Sequence, residues 1–165
     1  MIAPTPFFSD RGCHVRIYEE AKAVERRGGK VVVCTYHNGQ DIGGIETARI
    51  PTVPWYRRVE AGPDIQKLYL DALLLLVALR VARNFRPHLI HAHLHEGCLI
   101  GRVVSVFFGI PLFFDYQGSL SGEVVQHGFL RGGFLSYRLF RCVERRVNAM
   151  AVGIFLSSSC FCKEL

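Results

Sequence analysis

Residues able to do chemistry concentrate in one stretch of this 165-residue chain, Pro87-His88-Leu89-Ile90-His91-Ala92-His93-Leu94-His95-Glu96-Gly97. His91, His93 and His95 alternate, and on an extended strand alternate side chains share a face. Imidazoles so grouped can ligate a zinc-class ion. They can equally contact a substrate at the strand end, with His91 packed in the sheet, or serve packing alone. Glu96 can position a hydroxyl, or it can sit at the positive end of a following helix, where a carboxylate is favoured.

A second group follows the apolar run Leu112-Phe113-Phe114, which closes on Asp115. A buried carboxylate is costly unless paired, so Asp115 reads as a site group or as the anchor of a loop. Tyr116, Gln117, Ser119 and Glu123 lie in the long polar stretch 116–131. Loops of that kind after strands carry function disproportionately. Ser119 lacks the G-x-S-x-G surround of an activated serine nucleophile. In the first loop, Gly12 either meets a backbone requirement or presents a bare N–H to a phosphate near a helix start.

These residues need elements to hold them. Residues 1–6 read as the tail of a first strand, and 14–27 as a helix stopped by Gly28-Gly29. The β-branched run Val31-Val32-Val33-Cys34-Thr35 suits a strand buried on both faces. A weaker strand, 47–53, carries Pro51 and precedes Pro54, which suits a sheet edge. Pro63-Asp64 opens a long helix to about 85. A strand at 88–92 and a helix at 98–108 follow, then the strand 112–115. An amphipathic helix spans 134–149, with Leu135, Leu139, Phe140, Val143 and Val147 expected inside, then come a last strand at 151–156 and the start of a helix from 157. Such alternation predicts an α/β fold, a Rossmann-like parallel sheet with helices on both faces. In that architecture ligands bind outside the carboxyl ends of the strands, where His93, Glu96 and Asp115 fall.

Half the residues are apolar and 21% are charged, and the length suits a single domain. The net charge of +6 suits an anionic partner. Arg131, Arg138, Arg141 and Arg145 could rest on an anionic bilayer, as basic amphipathic helices do. No nucleic-acid-binding motif is present. Six cysteines lie scattered, mostly in apolar runs, as buried free thiols of a reducing compartment do. The greasiest run, 72–79, falls short of the roughly 20 residues of a membrane span, and no secretory signal is legible at Met1-Ile2-Ala3-Pro4.

Several segments together resemble the N-terminal domain of family 4 glycosyltransferases, retaining enzymes of GT-B fold. They are Ser9-Asp10-Arg11-Gly12-Cys13-His14-Val15-Arg16, Arg26-Arg27-Gly28-Gly29-Lys30-Val31-Val32-Val33, Arg86-Pro87-His88-Leu89-Ile90-His91-Ala92-His93 and Phe114-Asp115-Tyr116-Gln117-Gly118-Ser119, with Ser157-Ser158-Ser159 near the end. The resemblance covers nearly the whole chain and implies one half of a GT-B fold, with the nucleotide-sugar-binding C-terminal domain absent from this chain. It implies a cytoplasmic acceptor-side domain whose partners are a nucleotide sugar, held mainly by that second domain, and a carbohydrate or lipid-linked acceptor, with peripheral contact at the inner face of the membrane. No cofactor and no metal are implied. His93, Glu96 and Asp115 are then the catalytic candidates. Gly12, His14, His95, Tyr116, Gln117, Ser119 and Glu123 are the substrate-binding candidates. Two departures stand out: Gly12 stands alone where the family often has a double glycine, and Tyr116-Gln117 stands where many members have a histidine. The isolated domain is expected to be inactive. The competing readings are a non-enzymatic Rossmann-like module for an anionic ligand or membrane, and a zinc-dependent hydrolase.

Overall fold

The computed structural model describes residues 1–9, 12–57, 66–119 and 134–158. Six strands form one parallel sheet: β1 (Ile2–Ala3), β2 (Val32–Thr35), β3 (Glu46–Arg49), β4 (Ile90–His93), β5 (Leu112–Tyr116) and β6 (Gly153–Leu156). The spatial order is β3-β2-β1-β4-β5-β6, and every pairing is parallel. The order reverses between β1 and β4, which is the switch point of a Rossmann-like sheet. The fold is therefore the α/β class expected.

Helices cover both faces. On one lies α1 (Gly12–Arg26), whose Ile17 and Ala21 pack on Ala3, Val31 and Val33. On the other lie α2 (Gln66–Phe85), α3 (Leu94–Phe108) and α4 (Phe134–Asn148), over a core that includes Ile2, Cys34, Ile90, Ala92, Leu112 and Phe114. Strand alternation sends neighbouring residues to these two cores. β2 is buried at all four positions, as its β-branched run requires. Gly101 lets α3 approach closely: a Cβ there would lie 2.7 Å from Leu112 Cδ1 and 3.4 Å from Ala92 Cβ.

Two boundaries and one helix face differ from the sequence reading. The edge strand β3 stops at Arg49, before Pro51. α3 begins at Leu94 rather than at 98, because Leu94 takes a left-handed φ of 63° and turns strand into helix with no loop between. And α4 is rotated from the expected face: Glu144 and Val147 are buried while Leu139 and Val143 are 64% and 43% exposed. Glu144 faces inward because β5 offers it a buried phenol donor, described below. Of the thiols, Cys34 and Cys98 are buried as expected, whereas Cys142 is exposed.

Candidate functional site

The chain ends of β4 and β5 carry two polar networks on opposite faces of the sheet. On the α1 face, Asp115 is completely buried yet heavily solvated by donors. Arg16 on α1 donates from Nε to Oδ2 at 2.9 Å and from Nη2 to Oδ1 at 2.7 Å. Gln117 Nε2 donates to Oδ2 at 2.6 Å, and His93 Nδ1 lies 3.1 Å from the same oxygen. Burial pushes the Asp115 carboxyl up, but the bonds from His93, Arg16 and Gln117 outweigh it and hold the group well below the usual carboxylate range. An ionised carboxylate only accepts, so His93 Nδ1 carries the proton and Nε2 the lone pair. Burial keeps that imidazole neutral, against the pull of Asp115.

Arg16 also holds Glu20, one helical turn on, with Nε 3.0 Å from Oε1. Glu20 Oε2 points toward His91, 3.7 Å from Nε2. The rings of His91 and His93 stand 4.5 Å apart, centre to centre. Burial drives the His91 pKa down to about 3, and burial with nearby Asp115 drives that of Glu20 up to about 7 despite Arg16.

His95 does not join these two. Because α3 starts at Leu94, His95 enters the helix and turns to the opposite face, where its ring packs edge-on against Phe114 and Tyr116. A shared face for His91, His93 and His95 is thereby corrected. Tyr116 Oη donates to Glu144 Oε1 at 2.7 Å, and His95 Nε2 lies 3.8 Å from that oxygen. Tyr116 ends β5 rather than opening a loop.

The remaining candidates separate further. Glu96 sits in the first turn of α3, about as a helix-dipole carboxylate would, with its side chain 42% exposed and Lys67 of α2 at 4.0 Å. His14, in the first turn of α1, is buried against the β1–α1 loop: Ser9 N–H donates to its Nδ1 at 3.0 Å, so Nε2 carries the proton and donates to Thr5 Oγ1 at 2.6 Å. Gly12 is the exposed first residue of α1, with open space where a Cβ would stand. Ser119 is half-buried beyond β5, and Glu123 lies outside the described residues. Arg16, Glu20 and Glu144 were not among the sequence candidates. Arg16 and Glu20 read as an ordinary i,i+4 surface pair, and Glu144 hides among arginines; only its spacing from Phe140 and Val147 places it on the inner stripe.

A parallel sheet of this order, with a polar cluster at its carboxyl ends beside the switch point, defines a Rossmann-like α/β domain. Residues 11–165 match the family model described as a glycosyl transferase 4-like domain, and the chain belongs to that family. No curated protein sequence matches it. Among the described residues no helix is long and apolar enough to cross a membrane.

Proposed function

We propose that this chain is the acceptor-side domain of a retaining glycosyltransferase. It would help move a sugar from a nucleotide diphosphate sugar to a carbohydrate or lipid-linked acceptor. The observation that carries the reading is the Arg16–Asp115–His93–Gln117 network at the carboxyl ends of β4 and β5, in a chain of this family. Asp115 and His93 have no exposed surface, so they act as positioning residues: they hold Arg16 and Gln117, both partly exposed, beside the carboxyl ends of β4 and β5. Arg16 offers charge to a developing anion, and Gln117 offers an amide to the reacting hydroxyl. Gly12, unobstructed at the start of α1, lets the helix N-terminus approach the donor phosphate. Glu96, Ser119 and Glu123 contact the acceptor. His14 sets the shape of the first loop, and His95 and Tyr116 support the back of the site. A C-terminal domain supplies most of the donor site.

The exposed Leu139 and Val143, beside exposed Arg138, Arg145 and Arg146 on α4, support peripheral contact with an anionic membrane in the cytoplasm. A thermal-shift titration tests the division of labour, since a ligand raises Tm by mass action. UDP-, GDP- and ADP-sugars should leave this chain's Tm unchanged, and the chain alone should transfer no sugar. A strong shift with one nucleotide sugar, or measurable transfer, would put the donor site here and overturn the assignment.

A further inference from the structure

We propose that Glu20 Oε2, His91 Nε2 and His93 Nε2 form a three-ligand site for a zinc-class divalent cation, set between α1 and β4. One ligand atom from each of Glu20, His91 and His93 lies within 4.8 Å of the other two. Glu20 Oε2, His91 Nε2 and His93 Nε2 are each shielded from solvent and lack a hydrogen-bond partner among the described residues. Buried polar atoms are nearly always paired; of the eight orphaned side-chain atoms among the described residues, three belong to this one cluster, and a cation would satisfy them together. Two neutral imidazoles and a carboxylate are a common zinc set that leaves a coordination position open.

The surroundings favour metal over chance. His93 donates its other nitrogen to Asp115, and such a carboxylate–histidine pair fixes the ring and the lone pair of a metal ligand. Arg16 occupies Glu20 Oε1 and not Oε2, so the cation meets the free oxygen. The 3.7 Å between Glu20 Oε2 and His91 Nε2 is already close to the ligand–ligand separation that bonds of about 2.0–2.2 Å produce around a tetrahedral ion. Both imidazoles are held neutral by burial, and Glu20 is a poorly solvated carboxylate that a cation would stabilise. The Glu20 side chain retains 26% of its exposure, which leaves an access route. The site departs from the metal-free expectation that the family resemblance carries. It also stands apart from the sugar-transfer reading, because it is read out by metal binding and not by turnover.

The test uses the purified chain, stripped with a chelator and titrated with Co²⁺ while the visible d–d absorption is followed. One Co²⁺ per chain is expected, with no thiolate charge-transfer band. Glu20→Gln and His91→Gln should each weaken binding about tenfold or more, and Asp115→Asn should weaken it about 10–100-fold as an outer-sphere partner. A measurement on the unaltered chain guards against misfolded variants: long-range ¹H–¹⁵N spectra with Zn²⁺ should move Nε2 of His91 and His93 and leave His37 and His88 in place. Absent Co²⁺ binding, affinity unchanged in both Gln variants, a thiolate band lost in Cys142→Ser, or unmoved His91 and His93 resonances would each overturn the proposal.

Discussion

Deleting the Asp115 carboxylate should cost this domain a large part of its stability. The group is fully buried and accepts hydrogen bonds from Arg16 and Gln117 as well as from His93. Asp115→Ala leaves the His93 Nδ1–H buried with no carboxylate to accept it, a desolvation loss of about 1–3 kcal/mol. It also breaks a bidentate ion pair, and removing one partner of a buried pair costs about 3–5 kcal/mol. Arg16 softens this, since its side chain is 29% exposed and keeps Glu20. A net loss of about 3–5 kcal/mol follows, or roughly 6–20 °C in Tm for a domain of this size. Asp115→Asn keeps one acceptor oxygen but turns an N–H toward donors, so it should recover only part of the loss. Urea unfolding by circular dichroism at neutral pH measures both, and a cycle with Arg16→Met isolates the coupling between α1 and β5. An Asp115→Ala variant within about 1 kcal/mol of the parent, at unchanged m-value, would refute the view that this carboxylate ties α1 to the sheet.

Three further outcomes are expected. Tyr116→Phe removes a buried donor to Glu144 and should cost about 1.5–3 kcal/mol in the same urea assay; a neutral result would show that the carboxylate is served well enough without the phenol. Gly101→Ala gains about 1 kcal/mol of helix propensity, but its Cβ would crowd Leu112 and Ala92, and overpacking of about 1–3 kcal/mol should give a net loss; a raised urea midpoint would mean Leu112 yields freely. Asp71 accepts from Tyr36 Oη at 2.6 Å, and burial raises its pKa to about 6, opposed by that bond and reinforced by Glu96. The folded state thus holds the proton more tightly than the unfolded chain, whose aspartate titrates near about 3.9. Asp71 therefore makes stability fall as pH rises from about 4 to 6, with no further change above, and Asp71→Asn should flatten that slope in urea midpoints taken across pH 4 to 7.

Much of the architecture was legible because a doubly covered parallel sheet writes itself plainly: short apolar β-branched runs such as Val31-Val32-Val33 alternate with longer amphipathic stretches. The start of α3 was not, because a left-handed turn usually announces itself with glycine or asparagine, and here leucine takes it. That one dihedral decided the fate of the histidine cluster, sending His95 away from His91 and His93. The charged partners were hidden for a different reason. Arg16 and Asp115 are 99 residues apart, so nothing local marks them as a pair, and an i,i+4 Arg–Glu on a helix reads as a solvent-facing pattern. Glu144 sits among basic residues, and only tertiary context shows that its carboxylate is inside. Asp115 was identifiable from its place at the end of an apolar strand, whereas the complete burial that shields it from substrate could be learned only from the fold.

Adjacent residues Asp115 and Tyr116 send their polar ends to opposite faces of β5. In the native alignment Asp115 lies beside His93 and Phe114 beside Ala92. Were β5 to slide one position along β4, the carboxylate would arrive among the apolar groups between α3 and α4, and the phenol would arrive against Arg16. Leu112, Phe113 and Phe114 are too alike in bulk and greasiness to penalise that slip strongly. The two polar partners penalise it twice, once on each face, because a one-residue shift inverts every side chain. Arg16 and Glu144 thus work as paired keys that admit a single alignment of the strand as the sheet zips, so the same groups that furnish the candidate site also proofread its assembly.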